Sequence, residues 1–316
     1  MLYVENWAPE YGAPIEHDPA LAPSESIIDV SIETATWEPR RPDASAADSI
    51  EAMCFVDGVR RVDARLTLDE PEGPISGLCG SLGVGATHWD RTIPRATFGN
   101  VLIERLAVVG SGRVVEVPAA GNLRYEPVSV AGEDPAELIR YFHGRMRKAE
   151  AELSSQLAAE GHLVIADGPV YETKPQTVIG FIKTHRVNYL PLEETETVRQ
   201  LTAGTRTPLF LMDGVMFQKY SWYLKLADIP GGHTWSGVVR CEVAASLGIE
   251  QATFYADVAA LLLPQTAPPL HVDPRAPQNL VPIGALEREL RRNLGDPGLV
   301  YRALRESIGQ STNGAA

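Results

Sequence analysis

The sequence predicts a mixed α/β domain, a central sheet flanked by helices. Three observations carry that class. Short apolar runs bounded by turn residues recur along the chain, which is how buried strands read. Val59 to Leu68 alternates instead, with Val62, Ala64, Leu66 and Leu68 set against Arg61, Asp63, Arg65 and Thr67. That is the period-two signature of a half-exposed strand. Asp134-Pro135 then opens a long helical pattern, with an acid at the N-cap and Pro at the first helical position.

Taken in order, residues 1–48 are rich in Pro, Glu, Asp and Ala and are predicted to form an extended N-terminal arm. It holds one strand (Ile27 to Glu33) and a flexible stretch (Pro39 to Asp48). Ser49 to Val56 and Val59 to Leu68 are predicted as an antiparallel pair with Asp57-Gly58 at the junction, since Asp-Gly is a common hairpin turn. Ser76 to Ala86 and Asn100 to Val109 add strands. Gly80, Gly83 and Gly85 lack phosphate-loop spacing, and His88-Trp89 follows them rather than a helix.

The long helix runs to about Glu160 and ends at Gly161, and a second Asp-Gly strand follows, Leu163 to Asp167-Gly168. Val178 to Lys183, Leu209 to Met212, Trp222 to Leu226 and Gly237 to Ala244 are further strands. Gln251 to Leu263 is a helix, and Thr266 to Pro282 is a Pro-rich crossing. Two helices close the chain, Ile283 to Leu294 and Leu299 to Ile308. Residues 49–308 thus read as one domain and 309–316 as a disordered tail.

Composition narrows the function. The 316 residues are 44% hydrophobic, ordinary for a soluble globular chain. No apolar run approaches the roughly 18 residues of a membrane span. The first residues carry Glu5, Pro9 and Glu10 and no basic region, unlike a signal peptide. Cys54, Cys79 and Cys241 are isolated and form no CxxC pattern, so a reducing cytoplasm is the expected setting. A net charge of −13 argues against a general nucleic-acid coat, whose affinity comes from neutralised phosphates. It leaves room for one local basic cleft. Candidates for DNA contact are Arg60 and Arg61, His185 and Arg186 beside Lys183, and Arg288.

The chemistry-bearing residues are acids. Asp57 and Asp167 end apolar runs, so each carboxylate points into whatever cleft lies there. On the long helix Met146, Ala149, Leu153 and Leu157 mark the buried stripe. Glu150 lies on that stripe and Glu152 faces away. On the penultimate helix Ile283, Leu286, Leu290 and Leu294 make the stripe; Glu287 faces inward and Glu289 outward. A Glu on a packing face is costly unless it is paired or binds a cation. Asp57, Glu150, Asp167 and Glu287 could therefore converge on metal, with His271 and Asp273 in reserve.

Carboxylate oxygens suit Mg²⁺ or Mn²⁺ rather than zinc. Two such cations roughly 4 Å apart serve phosphodiester hydrolysis. Lys183 stands where it could stabilise charge developing on a scissile phosphate. Two other readings compete: structural salt bridges from the inward acids to Arg60, Arg240 or Arg288, and a non-catalytic docking subunit.

These residues resemble a known family. The order Phe55-Val-Asp-Gly58, a helix with an inward Glu, Val164-Ile-Ala-Asp-Gly-Pro169, then Ile179-Gly-Phe-Ile-Lys-Thr-His185 resembles the NurA nucleases. Arg275 to Arg288 resembles the C-terminal segment of bacterial members, and the resemblance spans roughly residues 50 to 295. It implies an RNase H-like core, Mn²⁺- or Mg²⁺-dependent DNA cleavage, and exonuclease and single-strand endonuclease activities. It also implies a homodimer working with a HerA-type hexameric translocase in end resection, repair or defence against foreign DNA. By motif, Asp57 and Asp167 match the strand acids and Glu150 the helix acid. Glu287 stands where the family commonly has His, and that departure is what supports the docking-subunit alternative.

Overall fold

The computed structural model describes residues 2–4, 27–93, 95–171, 176–183, 188–213, 218–231, 233–272 and 276–314. Among them, eleven strands form one mixed sheet. They are β1 (Leu2–Val4), β2 (Ile27–Asp29), β3 (Ala52–Glu70), β4 (Gly73–Asp90), β5 (Arg95–Val109), β6 (Glu126–Ser129), β7 (Leu163–Asp167), β8 (Val178–Ile182), β9 (Phe210–Asp213), β10 (Gln218–Lys225) and β11 (Val238–Ala244). The helices are α1 (Pro135–Ala159), α2 (Leu192–Arg199), α3 (Ile249–Thr266), α4 (Val281–Asn293) and α5 (Pro297–Gly314). The strand order is β2-β9-β10-β11-β8-β7-β3-β4-β5-β6, with β1 also paired to β3. The mixed α/β class stands.

The first Asp-Gly does not turn the chain. β3 is one strand from Ala52 to Glu70, and Asp57 and Gly58 pair in register with Gly85 and Val84 of β4. Continuous pairing along β4 leaves no room for a hairpin there, so the predicted junction is corrected. The second Asp-Gly does break its strand, because Gly168 takes φ 113°, open to glycine at no steric cost. The supposed flexible stretch before β3 is also ordered in part. Ala44–Ala47 form a 3₁₀ turn whose Asp43 cap accepts from the Ser45 amide, and Arg40 exchanges backbone hydrogen bonds with Arg206. The tail prediction shortens too, since α5 continues to Gly314.

Helix α1 begins as its sequence dictates. Asp134 accepts from the Ala136 amide, and Pro135 occupies the first turn, where the missing N–H costs nothing. Its Leu138, Phe142, Met146 and Ala149 pack on Cys54, Val56 and Leu82. The other sheet face carries Phe55, Ile165, Phe181 and Trp222 beneath α3 residues Ala256, Leu262 and Leu263 and beneath Ile283 of α4. Further along α4, Leu286, Leu290 and Leu294 cover Val59.

Gly80 of β4 is a contact of α1 with the sheet: a Cβ there would lie 2.6 Å from Phe142 Cζ. Phe142 is 1% exposed and packed within the core beneath α1. Gly80→Ala is expected to cost about 1–3 kcal/mol as overpacking, read as a lowered thermal midpoint. An unchanged midpoint would show that α1 is not seated as described.

Candidate metal centre

The site forms where β7 ends and β3 continues. β3 pairs with β7 only as far as Val56 opposite Ala166. Beyond that pair an open seam remains, and both Asp57 and Asp167 lie at it. Alternation along β3 then sends neighbouring residues to opposite faces. A Cβ on Gly58 would strike Glu150 and Met146 of α1, whereas one on Gly85, the partner of Asp57, would meet Leu286 and Leu290 of α4. Asp57 therefore shares the α4 face, and Glu150 arrives from the α1 face against the bare Gly58.

Asp57, Asp167 and Glu287 each offer a carboxylate oxygen, and these atoms all lie within 4.8 Å of one another. Asp57 is buried; its Oδ1 accepts from the Gly58 amide at 2.8 Å. Its Oδ2 is buried with no hydrogen-bond partner among the described residues. A buried carboxylate oxygen without a donor is costly, and a cation would satisfy it. The set is all carboxylate, which fits a hard divalent ion such as Mg²⁺ or Mn²⁺.

Lys183 follows β8 and donates to Asp167 Oδ2 at 2.6 Å and to Asn279 Oδ1 at 3.0 Å. Lys183 thus partly balances the acids beside it. Burial pushes the Asp57 carboxyl well above the usual carboxylate range; Asp167, Glu150 and Glu287 push it the same way, and Lys183 opposes them. Burial and then Asp167 push Glu150 up to about 8, against Arg147, Arg60 and the Gly58 amide. Mutual repulsion of this kind is what an added cation relieves.

The remaining candidates separate. Arg60 lies close enough to Glu150 to act on its charge, and Arg288 is exposed on α4. Arg61, another candidate for DNA contact, is engaged within the fold. It donates to Asp63 at 2.7 Å and to the Gly295 and Leu294 carbonyls, capping the end of α4. Arg105 joins it on Leu294. His271 is exposed in the loop before α4 and stands outside the acid group. Asp273, His185 and Arg186 lie outside the described residues. Outward-facing Glu289 pairs with Arg292 at 2.6 Å, and Glu152 with Lys148 and Arg145.

Two parts of the site escaped the sequence reading. Asn279 is 2% exposed and holds Lys183, yet as a polar residue just ahead of a helix it reads as an ordinary cap. Gly58 matters for the side chain it lacks. No signal within β3 marks it, because its partner Glu150 is remote in sequence.

No protein-family model and no curated protein matches the chain. Among solved structures, that of the NurA nuclease from Sulfolobus solfataricus is similar over 82% of this chain and 86% of its own, at a TM-score of 0.42 and 11% sequence identity.

Proposed function

We propose that this chain is a metal-dependent DNA nuclease. The observation that carries the reading is the meeting of Asp57, Asp167 and Glu287 within 4.8 Å, with the Asp57 Oδ2 buried and unpartnered among the described residues. Asp57, Asp167 and Glu287 would hold Mn²⁺ or Mg²⁺, with Glu150 at their edge. Such a cation supplies Lewis acidity toward a phosphodiester oxygen.

The chain's own residues do the rest. Lys183, steadied by Asn279, presents a positive charge beside Asp167, where negative charge grows on a phosphate under attack. Glu150, with its carboxyl raised to about 8, is suited to hold or pass a proton near neutral pH. Arg60, close to Glu150, adds positive potential toward the phosphate backbone.

The sequence resemblance supports the finer reading: exonuclease and single-strand endonuclease action on DNA ends, in repair or defence, by a homodimer partnered with a HerA-type translocase. The order β5-β4-β3-β7-β8, with β3, β7 and β8 parallel, supports an RNase H-like core. The presence of Glu287 with the two Asp residues weighs against the docking-subunit alternative.

Incubation of the purified protein with linear and single-stranded DNA tests the activity. Cleavage is expected with Mn²⁺ or Mg²⁺ and is expected to vanish with a chelator and return on adding metal. Cleavage that persists in chelator would overturn the site. Absence of cleavage under every divalent ion, with and without a translocase, would overturn the function.

A further inference from the structure

A buried ionic network lies outside the acid cluster and meets the far end of the helix that carries Glu287. Its centre is Asp63, 3% exposed. The residue sits at an irregularity of β3: Val62 pairs with Gly80 and Ala64 with Cys79, and Asp63 is left over between them. A bulge of this kind re-aims side chains. Before it, Val59 and Arg61 face α4 and its end. After it, Ala64 and Leu66 pack beneath Val300 and Leu304 of α5. Asp63 is thereby turned inward beside the join of α4 and α5.

Arg61, Ser81, Arg105 and Tyr125 converge on it. Its Oδ1 accepts from Arg61 Nε at 2.7 Å, and its Oδ2 accepts from Tyr125 OH at 2.8 Å and from Ser81 Oγ. Arg105 donates to Ser81 Oγ and lies 3.9 Å from the Asp63 carboxylate. The far nitrogens of both guanidiniums reach the end of α4. Arg61 Nη1 donates to the Gly295 carbonyl at 2.7 Å; Arg61 Nη2 and Arg105 Nη2 donate to that of Leu294 at 3.2 and 3.0 Å. The last carbonyls of a helix have no partner within it, and cations suit that end.

Apolar packing alone leaves α4 one freedom. Leu286, Leu290 and Leu294 hold it down on Val59, and such burial is non-directional. It sets the distance of the helix from the sheet but not its position along its own axis. Directional bonds set that. Thr87 of β4 donates to the Pro282 carbonyl at 3.1 Å in the first turn, and the two arginines hold the other end. Glu287 lies between, two turns before the Leu294 cap and on the same face. A ligand carboxylate needs placing to within about 0.5 Å. A buried ion pair adds little net stability, so what this network supplies is geometry.

We infer that Arg61 and Arg105, held by Asp63, are positioning residues of the metal centre. They fix α4 along its axis and so place Glu287 against Asp57 and Asp167. The inference deepens the nuclease reading and rests on its metal site.

Mn²⁺ titration followed by electron paramagnetic resonance tests it independently of cleavage. Arg61→Lys keeps a charge beside Asp63 and loses the fork that spans both carbonyls. It is expected to weaken Mn²⁺ binding about tenfold, the lower range for losing a partner that orients a ligand. Arg105→Lys leaves the Arg61–Asp63 pair intact and should act in the same direction; it decides the matter if Arg61→Lys does not fold, which circular dichroism checks. Glu287→Gln should weaken binding on its own, and either arginine change added to it should have no further effect. Wild-type affinity in the folded arginine variants, with Glu287→Gln weakened, would overturn the inference and leave the metal centre standing. Losses that multiply in the double variants would do the same. A wild type that binds no Mn²⁺ would overturn the metal centre and the inference with it. Binding that follows the expected pattern, without DNA cleavage under any metal, would overturn the nuclease reading and keep the positioning role.

Discussion

Asp57→Asn is expected to lower metal-dependent DNA cleavage by about 10³-fold, the upper range for removing one preorganised electrostatic element, while stabilising the metal-free protein. The two effects have one cause. Asp57 is buried, sits with Asp167 and Glu287, and has one oxygen without a donor among the described residues. As a carboxylate it attracts a cation; without a cation it repels its neighbours. Asn keeps the shape and removes the charge.

The pH dependence follows the same line. A carboxyl whose pKa is raised on folding binds its proton more tightly in the folded chain. Its contribution to stability is fully present below the unfolded pKa and is lost as pH climbs through the folded pKa. For Glu150 that window runs from 4.5 to about 8, and Asp57 shifts in the same direction. The thermal midpoint of metal-free protein is therefore expected to fall from pH 5 to pH 8. Asp57→Asn should flatten that slope, and Mn²⁺ should raise the midpoint most at the alkaline end. A flat wild-type profile, or cleavage by Asp57→Asn near the wild-type rate, would show that the acids do not share a site.

Glu242→Ala is expected to cost about 3–5 kcal/mol, the scale for removing one partner from a buried ion pair. Glu242 is 1% exposed. It accepts from Arg240 at 2.6 Å, from Lys219 at 2.7 Å and from the Val170 amide at 2.8 Å. Burial alone would push its carboxyl up, but Arg240 and Lys219 outweigh it and hold the pKa below the usual value. Its stabilising share is thus present above the unfolded pKa and lost as pH falls.

Removing Glu242 leaves Arg240 buried in β11 beside Ser221 and Met212 with its charge uncompensated. It also frees Val170, three residues past Asp167, so activity should fall with stability. Chemical denaturation measures the loss, and a change under about 1 kcal/mol would sink the assignment. The double replacement Arg240→Met with Glu242→Leu should recover much of the stability, because a matched apolar pair removes both desolvation costs.

Much of the fold was legible because its signals are local. Asp134-Pro135 announced α1, and the stripes on α1 and α4 pointed Glu150 and Glu287 inward at three- and four-residue steps. Strand pairing is not local. Nothing between Ala52 and Glu70 says that Asp57-Gly58 continues along β4 instead of turning, since a hairpin and a long strand share the same residues there. Arg61 looked like a DNA contact for a similar reason: a basic pair on an alternating strand gives no hint that the end of α4 will come to rest against it.

The sequence by itself determined the mixed α/β class, the inward faces of two helices and the acids placed on them, because periodicity fixes which side of an element is buried. Only the tertiary structure decided that β7 stops beside a continuing β3. Through that seam Glu150 approaches from one face while Glu287 reaches Asp57 and Asp167 from the other. It also decided that Asn279 steadies Lys183. Convergence of that kind depends on distances between residues far apart in the chain, which no local pattern encodes.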